Sequence, residues 1–213
     1  MTAARDTILA ALAARRPAAP ARGRPLAAPP VPSDPIACLR DRVEAAGGSL
    51  VVVPPDDWIA HVAWPVALDA DAHGRDSTSL YSALPGIPSR GGGTADPTRD
   101  DFAGLDLCIL RGAFAVVENG AVWHVPASAR ERRAALLAEH LVVVLEGDAL
   151  VADLHAAYER IDLDALGFGW FLCGPSKTAD IEQALVLGAH GPRSMQLVWR
   201  CDDPAGTARR LRG

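Results

Sequence analysis

Leu141-Val142-Val143-Val144-Leu145 is an unbroken apolar run with β-branched residues at its centre, of strand length and too short for an ordinary helix. A run without polar alternation is the pattern of a strand buried on both faces. Upstream of it, Ala129–His140 reads as a helix, and Ala121–Val125 and Leu105–Leu110 read as strands, with a turn or short helix from Arg111 to Gly120 between them. Downstream, Asp148–Arg160 reads as a helix, with Leu150, Leu154 and Tyr158 at near-helical spacing. Phe168–Cys173 then reads as a strand, Thr178–Leu187 as a helix and Met195–Trp199 as the final strand. Strands alternating with short helices make right-handed βαβ units. The expected fold class is therefore α/β, a mostly parallel sheet with helices on both faces.

The N-terminal half is less regular. Residues 17–32 are rich in Ala, Pro and Arg, a composition that buries too little apolar surface to offset its ordering entropy. Residues 1–32 are expected to be a short helix followed by a flexible linker, and residues 33–213 a single domain. Ser33-Asp34-Pro35 is a helix start, because Ser or Asp can cap and Pro fits the first turn. Ile36, Leu39 and Val43 share a face, and Gly47-Gly48 stops the helix before a short strand, Leu50–Val53. Trp58–Val66 reads as helical, limited by Pro65, and Pro85–Asp100 as a long loop.

The chain has 213 residues, 49% hydrophobic and 22% charged, with a formal net charge of -5. That balance speaks against a nucleic-acid surface, which needs a basic face to neutralise phosphates. No apolar run reaches the roughly 18–20 residues that span a bilayer, and Ile8–Ala14 is followed rather than preceded by its basic pair, Arg15-Arg16. A cytoplasmic protein is expected. Cys38, Cys108, Cys173 and Cys201 are too far apart in sequence for a CxxC or iron–sulfur motif, so no metal and no cofactor is expected on this chain.

Chemistry is most readable in Gly174-Pro175-Ser176-Lys177-Thr178-Ala179-Asp180-Ile181-Glu182, which follows a buried strand and precedes the expected helix. A helix N-terminus beyond the carboxyl end of a strand suits an anion, through free N–H groups and the dipole. Gly174, Ser176, Lys177, Thr178 and Asp180 are candidate ligand-binding residues for a small carboxylate or phosphate. Ordinary capping by Ser176 or Thr178, with acidic residues in the first turn, explains the same residues equally simply. His190, read as lying just past that helix, would feel the dipole's negative end and act as an acid or base, or else cap the helix carbonyls. Glu118-Asn119-Gly120 stands between strands, and on its own it is a polar Asn-Gly turn.

The nine residues from Gly174, followed by Leu185-Val186-Leu187-Gly188-Ala189-His190-Gly191-Pro192, resemble the signature of the lactate-utilisation protein C family, the LUD domain. The resemblance implies the fold shared by glucosamine-6-phosphate deaminases, ribose-5-phosphate isomerases and acyl-CoA transferases. It implies a subunit of an L-lactate-oxidising system whose iron–sulfur clusters sit on partner proteins. The family pattern at the second segment is Ala-Glu-Thr-Gly-Thr, so Asn119 and Ala121 stand in place of two threonines. Glu-Asn-Gly is also similar to the acyl-CoA transferase motif whose glutamate forms the thioester. That likeness makes Glu118 a candidate nucleophile, with Asn119 and Gly120 beside the substrate. An independent enzyme using Glu118 is the alternative to the lactate subunit.

Overall fold

The computed structural model describes residues 2–15, 27, 29–56, 58–65, 79–89, 102, 104–162, 167–181 and 184–212. The linker expected at 17–32 and the loop expected at 85–100 fall largely outside them. In chain order the elements are α1 (Thr2–Ala14), α2 (Pro35–Ala45), β1 (Ser49–Val53), α3 (Trp58–His61), β2 (Leu80–Ser82) and β3 (Leu107–Arg111). There follow β4 (Phe114–Val116), β5 (Val122–His124), α4 (Ala129–Leu137), β6 (His140–Glu146), β7 (Leu150–Val151) and α5 (Leu154–Arg160). The chain continues through β8 (Trp170–Leu172), β9 (Lys177–Ile181), β10 (Ala184–Leu187), β11 (Ser194–Arg200) and α6 (Pro204–Arg212).

The expected parallel sheet is present, with strand order β1-β11-β6-β3-β2 and every pairing parallel. Its central strands are buried on both faces. Cys108, Leu110, Leu141, Val143, Leu145, Leu197 and Trp199 enter one core layer, while Leu107, Ile109, Val142, Val144 and Val198 enter the other. The chain crosses from β1 to the far edge at β2, then steps back through β3, β6 and β11. With right-handed crossovers, a reversal of direction puts the connections on opposite faces. Accordingly Trp58 of α3 packs in one layer, and Ala134 and Ala135 of α4 in the other.

Helix α2 begins where the sequence indicates. Asp34 accepts from the N–H groups of Ile36 and Ala37 at 3.1 and 3.0 Å, Pro35 opens the first turn, and Leu39 and Val43 are buried. In α4, Ser128 accepts from the Glu131 N–H at 3.1 Å, and Glu131 accepts from the Ala127 N–H at 2.9 Å, a variant of the reciprocal capping box.

Three expectations are corrected. The turn expected within 111–120 is present at 117–119, but Arg111 ends β3 and 114–116 form a strand, β4, and 148–160 is not one helix. Leu150-Val151 pairs with Ala115-Val116 as β7, and α5 starts only after Asp153, which accepts from the Ala156 N–H at 2.8 Å. Together β7-β4-β5-β8 make a second, mixed sheet packed in the same core layer as α2 and α4. Thr178–Leu187 is an antiparallel pair, β9 with β10, and not a helix. The Ser176 N–H donates to the Pro192 carbonyl and the Gly188 N–H to the Ser176 carbonyl, both at 2.9 Å, so this backbone is committed to cross-chain bonds. Smaller differences are the shorter α3, ending at His61 and not Val66, and two elements the sequence reading passed over, β2 and α6.

Helix α6 packs on α2 and β7 and is tied down by Asp148, which takes hydrogen bonds from Thr207 and Arg210. Those bonds, Thr207's first, hold the Asp148 carboxyl below its ordinary range. A depressed carboxyl adds stability above its unfolded value, about 3.9, that is lost as pH falls through the folded value. Asp148→Asn should therefore flatten the fall in melting temperature below about pH 4. Parallel wild-type and variant curves in thermal melts between pH 7 and pH 3 would remove this role.

Candidate functional site

All strands of a parallel sheet end on one side, and ligands of open α/β sheets bind there. Here three adjacent strands end on charges: β3 on Arg111, β6 on Glu146 and β11 on Arg200. Glu146 bridges both arginines, taking Arg111 on Oε2 and Arg200 on Oε1, the latter at 2.8 Å. Arg200 also donates to the Pro55 carbonyl at 3.0 Å and lies over the Trp58 ring, 5.2 Å from its centre. It is fixed by both neighbours, whereas the Arg111 side chain is 59% exposed.

Beside Arg111 is a cavity of about 480 Å³ lined by Arg111, Glu131 and Glu146 together with Ala83, Gly112 and Ala113. Behind it lies a buried pair. The His124 Nδ1 is 2.9 Å from the Arg111 carbonyl, and its Nε2 is 3.5 Å from Glu131 Oε1. His124 is 1% and Glu131 4% exposed. A carbonyl only accepts, so Nδ1 carries a proton. Nε2, which has no hydrogen-bond partner at closer range, then faces a carboxylate oxygen. The Cys108 thiol and the Tyr81 phenol are both pushed up, first by burial and then by the Glu131 charge.

The residues singled out from the sequence lie elsewhere. Glu118 is exposed on the turn after β4, and its Oε2 accepts from the Leu154 N–H at 3.0 Å, at the start of α5. Asn119 folds back, its Oδ1 accepting from the Ala121 N–H at 3.0 Å. Gly120 has φ +75 and sits against Arg42 and Val43 of α2. Gly174, φ +71, abuts Ala46 at the end of the same helix. The two segments do meet, since the Cys173 thiol donates to the Asn119 carbonyl at 3.5 Å, and both rest on α2. Ser176 and Thr178 are half-buried and Lys177 is exposed, on or beside strand β9. The backbone of Asp180 is in β9, and its side chain lies outside the described residues. No helix starts here, so the helix-dipole argument for an anion at Ser176–Thr178 does not hold.

His190 follows a strand, β10, and not a helix, so the dipole argument for it falls as well. It lines a second cavity, about 600 Å³, with Leu136, Leu137, Glu139, Gly188 and Arg193. This cavity is at the opposite, amino edge of the sheet, where β6 and β11 begin. Neither cavity is lined by Glu118, Asn119, Gly120 or residues 174–178. Among the described residues, no group of three or more His, Cys, Asp or Glu side chains is placed to hold a metal, and no helix is long and apolar enough to cross a membrane.

Arg111, Glu146 and Arg200 were not singled out from the sequence, although a signal exists. Each is the first charged residue after a buried apolar run: LCIL before Arg111, VVVL before Glu146 and LVW before Arg200. His124 was visible as a histidine on the strand after Glu118, facing either the cleft or the outside, whereas Glu131 carried no mark, because their pairing depends on how β5 meets α4.

Known proteins fit this architecture. A DUF162 family protein from Deinococcus radiodurans, whose crystal structure is solved, superposes with a TM-score of 0.53 at 16% identity, over 78% of this chain and 96% of that one. Lactate utilization protein C of Geobacillus kaustophilus is 27% identical over 160 residues, 72% of this chain and 63% of that protein. Lactate utilization protein C of Shouchella clausii is 31% identical over 93 residues, 41% of this chain and 40% of that protein. The chain thus matches less than two thirds of either relative's length. The LUD domain model matches residues 89–198, which takes in β3 to β10 and most of β11, without β1, β2, α2 or α3. With more than half of its length matched by that model, the chain belongs to the LUD domain family.

Proposed function

We propose that this chain is the cluster-free LUD-domain subunit of an L-lactate utilisation system in the cytoplasm. In this reading L-lactate loses two electrons and two protons to become pyruvate, and iron–sulfur partner proteins carry the electrons away. The chain itself binds no cofactor. The observation that carries the reading is the LUD domain match, joined by two relatives that are both named Lactate utilization protein C. A supporting feature is apolar surface at one end of the molecule. Leu185 and Leu187 of β10 are 66% and 47% exposed, and Leu136 and Leu137 at the end of α4 are 49% and 56% exposed. Gly188, next to Leu187, lines the amino-edge cavity with Leu136 and Leu137, so the end of β10 and the exposed end of α4 border the same cavity, a surface suited to a partner protein. The alternative, an enzyme with Glu118 as nucleophile, is the weaker reading, because one carboxylate oxygen of Glu118 already caps α5.

Two measurements test the proposal together. A strain deleted for this chain should fail to grow on L-lactate as sole carbon source and recover when the chain is restored. Anaerobic purification of the tagged chain should bring down a brown protein that L-lactate bleaches. Normal growth of the deletion strain, with a colourless and solitary tagged chain, would refute it.

A further inference from the structure

We propose that α1 is an arm that docks on a second copy of this chain. Its Ile8, Leu9 and Leu12 side chains seat at the amino-edge cavity bordered by Leu136, Leu137 and the end of β10, in a reciprocal exchange between two copies. Residues 4–15 are all exposed, so none of the described residues of the same copy covers this helix. Ile8, Leu9 and Leu12 are 59%, 49% and 62% exposed. At 3.6 residues per turn the three fall within about 100° of the helix circumference. Arg5 and Arg15 stand one turn beyond them on the same stripe. A lone helix of 13 residues is marginal in water, and helices of this length draw most of their stability from packing an apolar stripe. The stripe therefore calls for a surface outside its own copy.

Charge and self-complementarity make a second copy that surface. Residues 1–32 hold five arginines and one aspartate, a net charge of +4, which leaves residues 33–213 with −9. The arm of one copy is thus drawn toward the domain of another, an attraction that speeds encounter more than it fixes the final pose. The pose comes from apolar contact. Leu136, Leu137, Leu185 and Leu187 are the exposed leucines beside the amino-edge cavity of about 600 Å³. Ala138, Gly188, Ala189 and Gly191 line it with little side chain, which leaves room for apolar anchors one helical turn apart, as when an amphipathic helix lies in a groove. Glu139 and Arg193 at its edge already bond each other at 3.0 Å. Each copy brings one arm and one seat, so two copies can fill both and close a twofold dimer, the first seating favouring the second. From Arg15 to Asp34, which caps α2, the chain can span up to about 60 Å, enough to reach a neighbouring domain. The docking does not rest on the lactate reading. Under that reading, arm and partner protein compete for one face, and partner binding releases the arm.

The test is sedimentation equilibrium of the full chain, which should show a monomer–dimer equilibrium at micromolar concentration. Leu12→Asp disables the arm and Leu187→Asp the seat, and each alone should raise the dimer dissociation constant by about tenfold or more. Mixed one to one, the two variants should associate again, because the intact arm of the Leu187→Asp chain meets the intact seat of the Leu12→Asp chain. Ile59→Asp, at an exposed apolar residue of α3, should leave the dimer unchanged. All three substituted residues are exposed, so the domain should keep its melting temperature. A wild-type chain that stays monomeric, a dimer that survives both Leu12→Asp and Leu187→Asp, or a mixture that stays monomeric would each overturn the proposal. A monomer whose α1 amides exchange slowly would place the arm on its own domain, and a monomer that binds anionic vesicles through α1 would place it on lipid; either overturns it too. None of these outcomes bears on growth of the deletion strain on L-lactate, so the two proposals fail separately.

Discussion

Trp199→Ala is expected to lower the unfolding free energy by about 3–5 kcal/mol, a large share of the roughly 5–15 kcal/mol that a domain usually has. Trp199 is fully buried near the end of β11, with its backbone in register with Val52 of β1 and Leu145 of β6. Its ring belongs to the core layer shared with Leu39 of α2, Leu145 and Leu150, so it joins the parallel sheet to the second sheet and to α2. The indole N–H donates to the Gly147 carbonyl at 2.8 Å, in the turn that carries the chain from β6 to β7. Alanine removes the ring, leaves a void between two sheets that are each held by their own ladders, and leaves the Gly147 carbonyl with the Ala149 N–H alone. Trp199→Phe keeps most of the packing and loses the hydrogen bond, so it should cost about 1–2 kcal/mol. Urea unfolding followed by circular dichroism measures both. A loss below about 1 kcal/mol for Trp199→Ala would mean that the two layers close the gap, and that this ring does not join them.

The parallel sheet was legible because its strands advertise themselves. Leu107–Leu110, Leu141–Leu145 and Leu197–Trp199 are apolar on both faces, and only a strand covered on both sides accepts that pattern. The start of α2 was legible from Asp34 and Pro35, whose roles are local. What failed were segments whose structure is decided at a distance. Leu150 has helical spacing to Leu154 and Tyr158, yet Leu150-Val151 pairs with β4, a partner some thirty-five residues earlier in the chain. Thr178–Leu187 holds polar and apolar residues that fit a helix, but Ser176 is bonded across to Gly188 and Pro192 and the chain pairs with itself. Alternation that suits either period is settled by available partners, and a sequence window contains no partners. The same limit applied to the site. Arg111, Glu146 and Arg200 are visible as charges after apolar runs, but only the strand order β11-β6-β3 makes them neighbours. Glu118 was legible as an exposed turn residue, while its use as a cap for α5 was not.

Gly174→Ala is expected to cost about 2–4 kcal/mol, from about 1 kcal/mol for a left-handed residue with a side chain and the rest from collision with backbone. At φ +71 an added Cβ would overlap the Ala46 carbonyl oxygen and come within 3.0 Å of its carbon. Ala46 is the C-cap of α2, its N–H donating to the Arg42 carbonyl, so it cannot retreat without loosening the helix end. Gly86→Ala is the matched control, since Gly86 also has positive φ, +85, but has open space where its Cβ would go. It should cost only about 1 kcal/mol. Equal losses in urea unfolding would show that backbone conformation accounts for the whole effect and that contact with α2 adds nothing. The comparison bears on how the family motif is understood. Gly120, in the Glu-Asn-Gly turn, likewise has positive φ and would place a Cβ 2.9 Å from the Val43 nitrogen of α2. Both glycines that looked like backbone approaches to a ligand are thus approaches to a helix, and that helix precedes the family-matched residues 89–198. A large loss at Gly174 would make α2 the surface on which both motif turns are shaped, and their geometry a property of residues well before the motifs themselves.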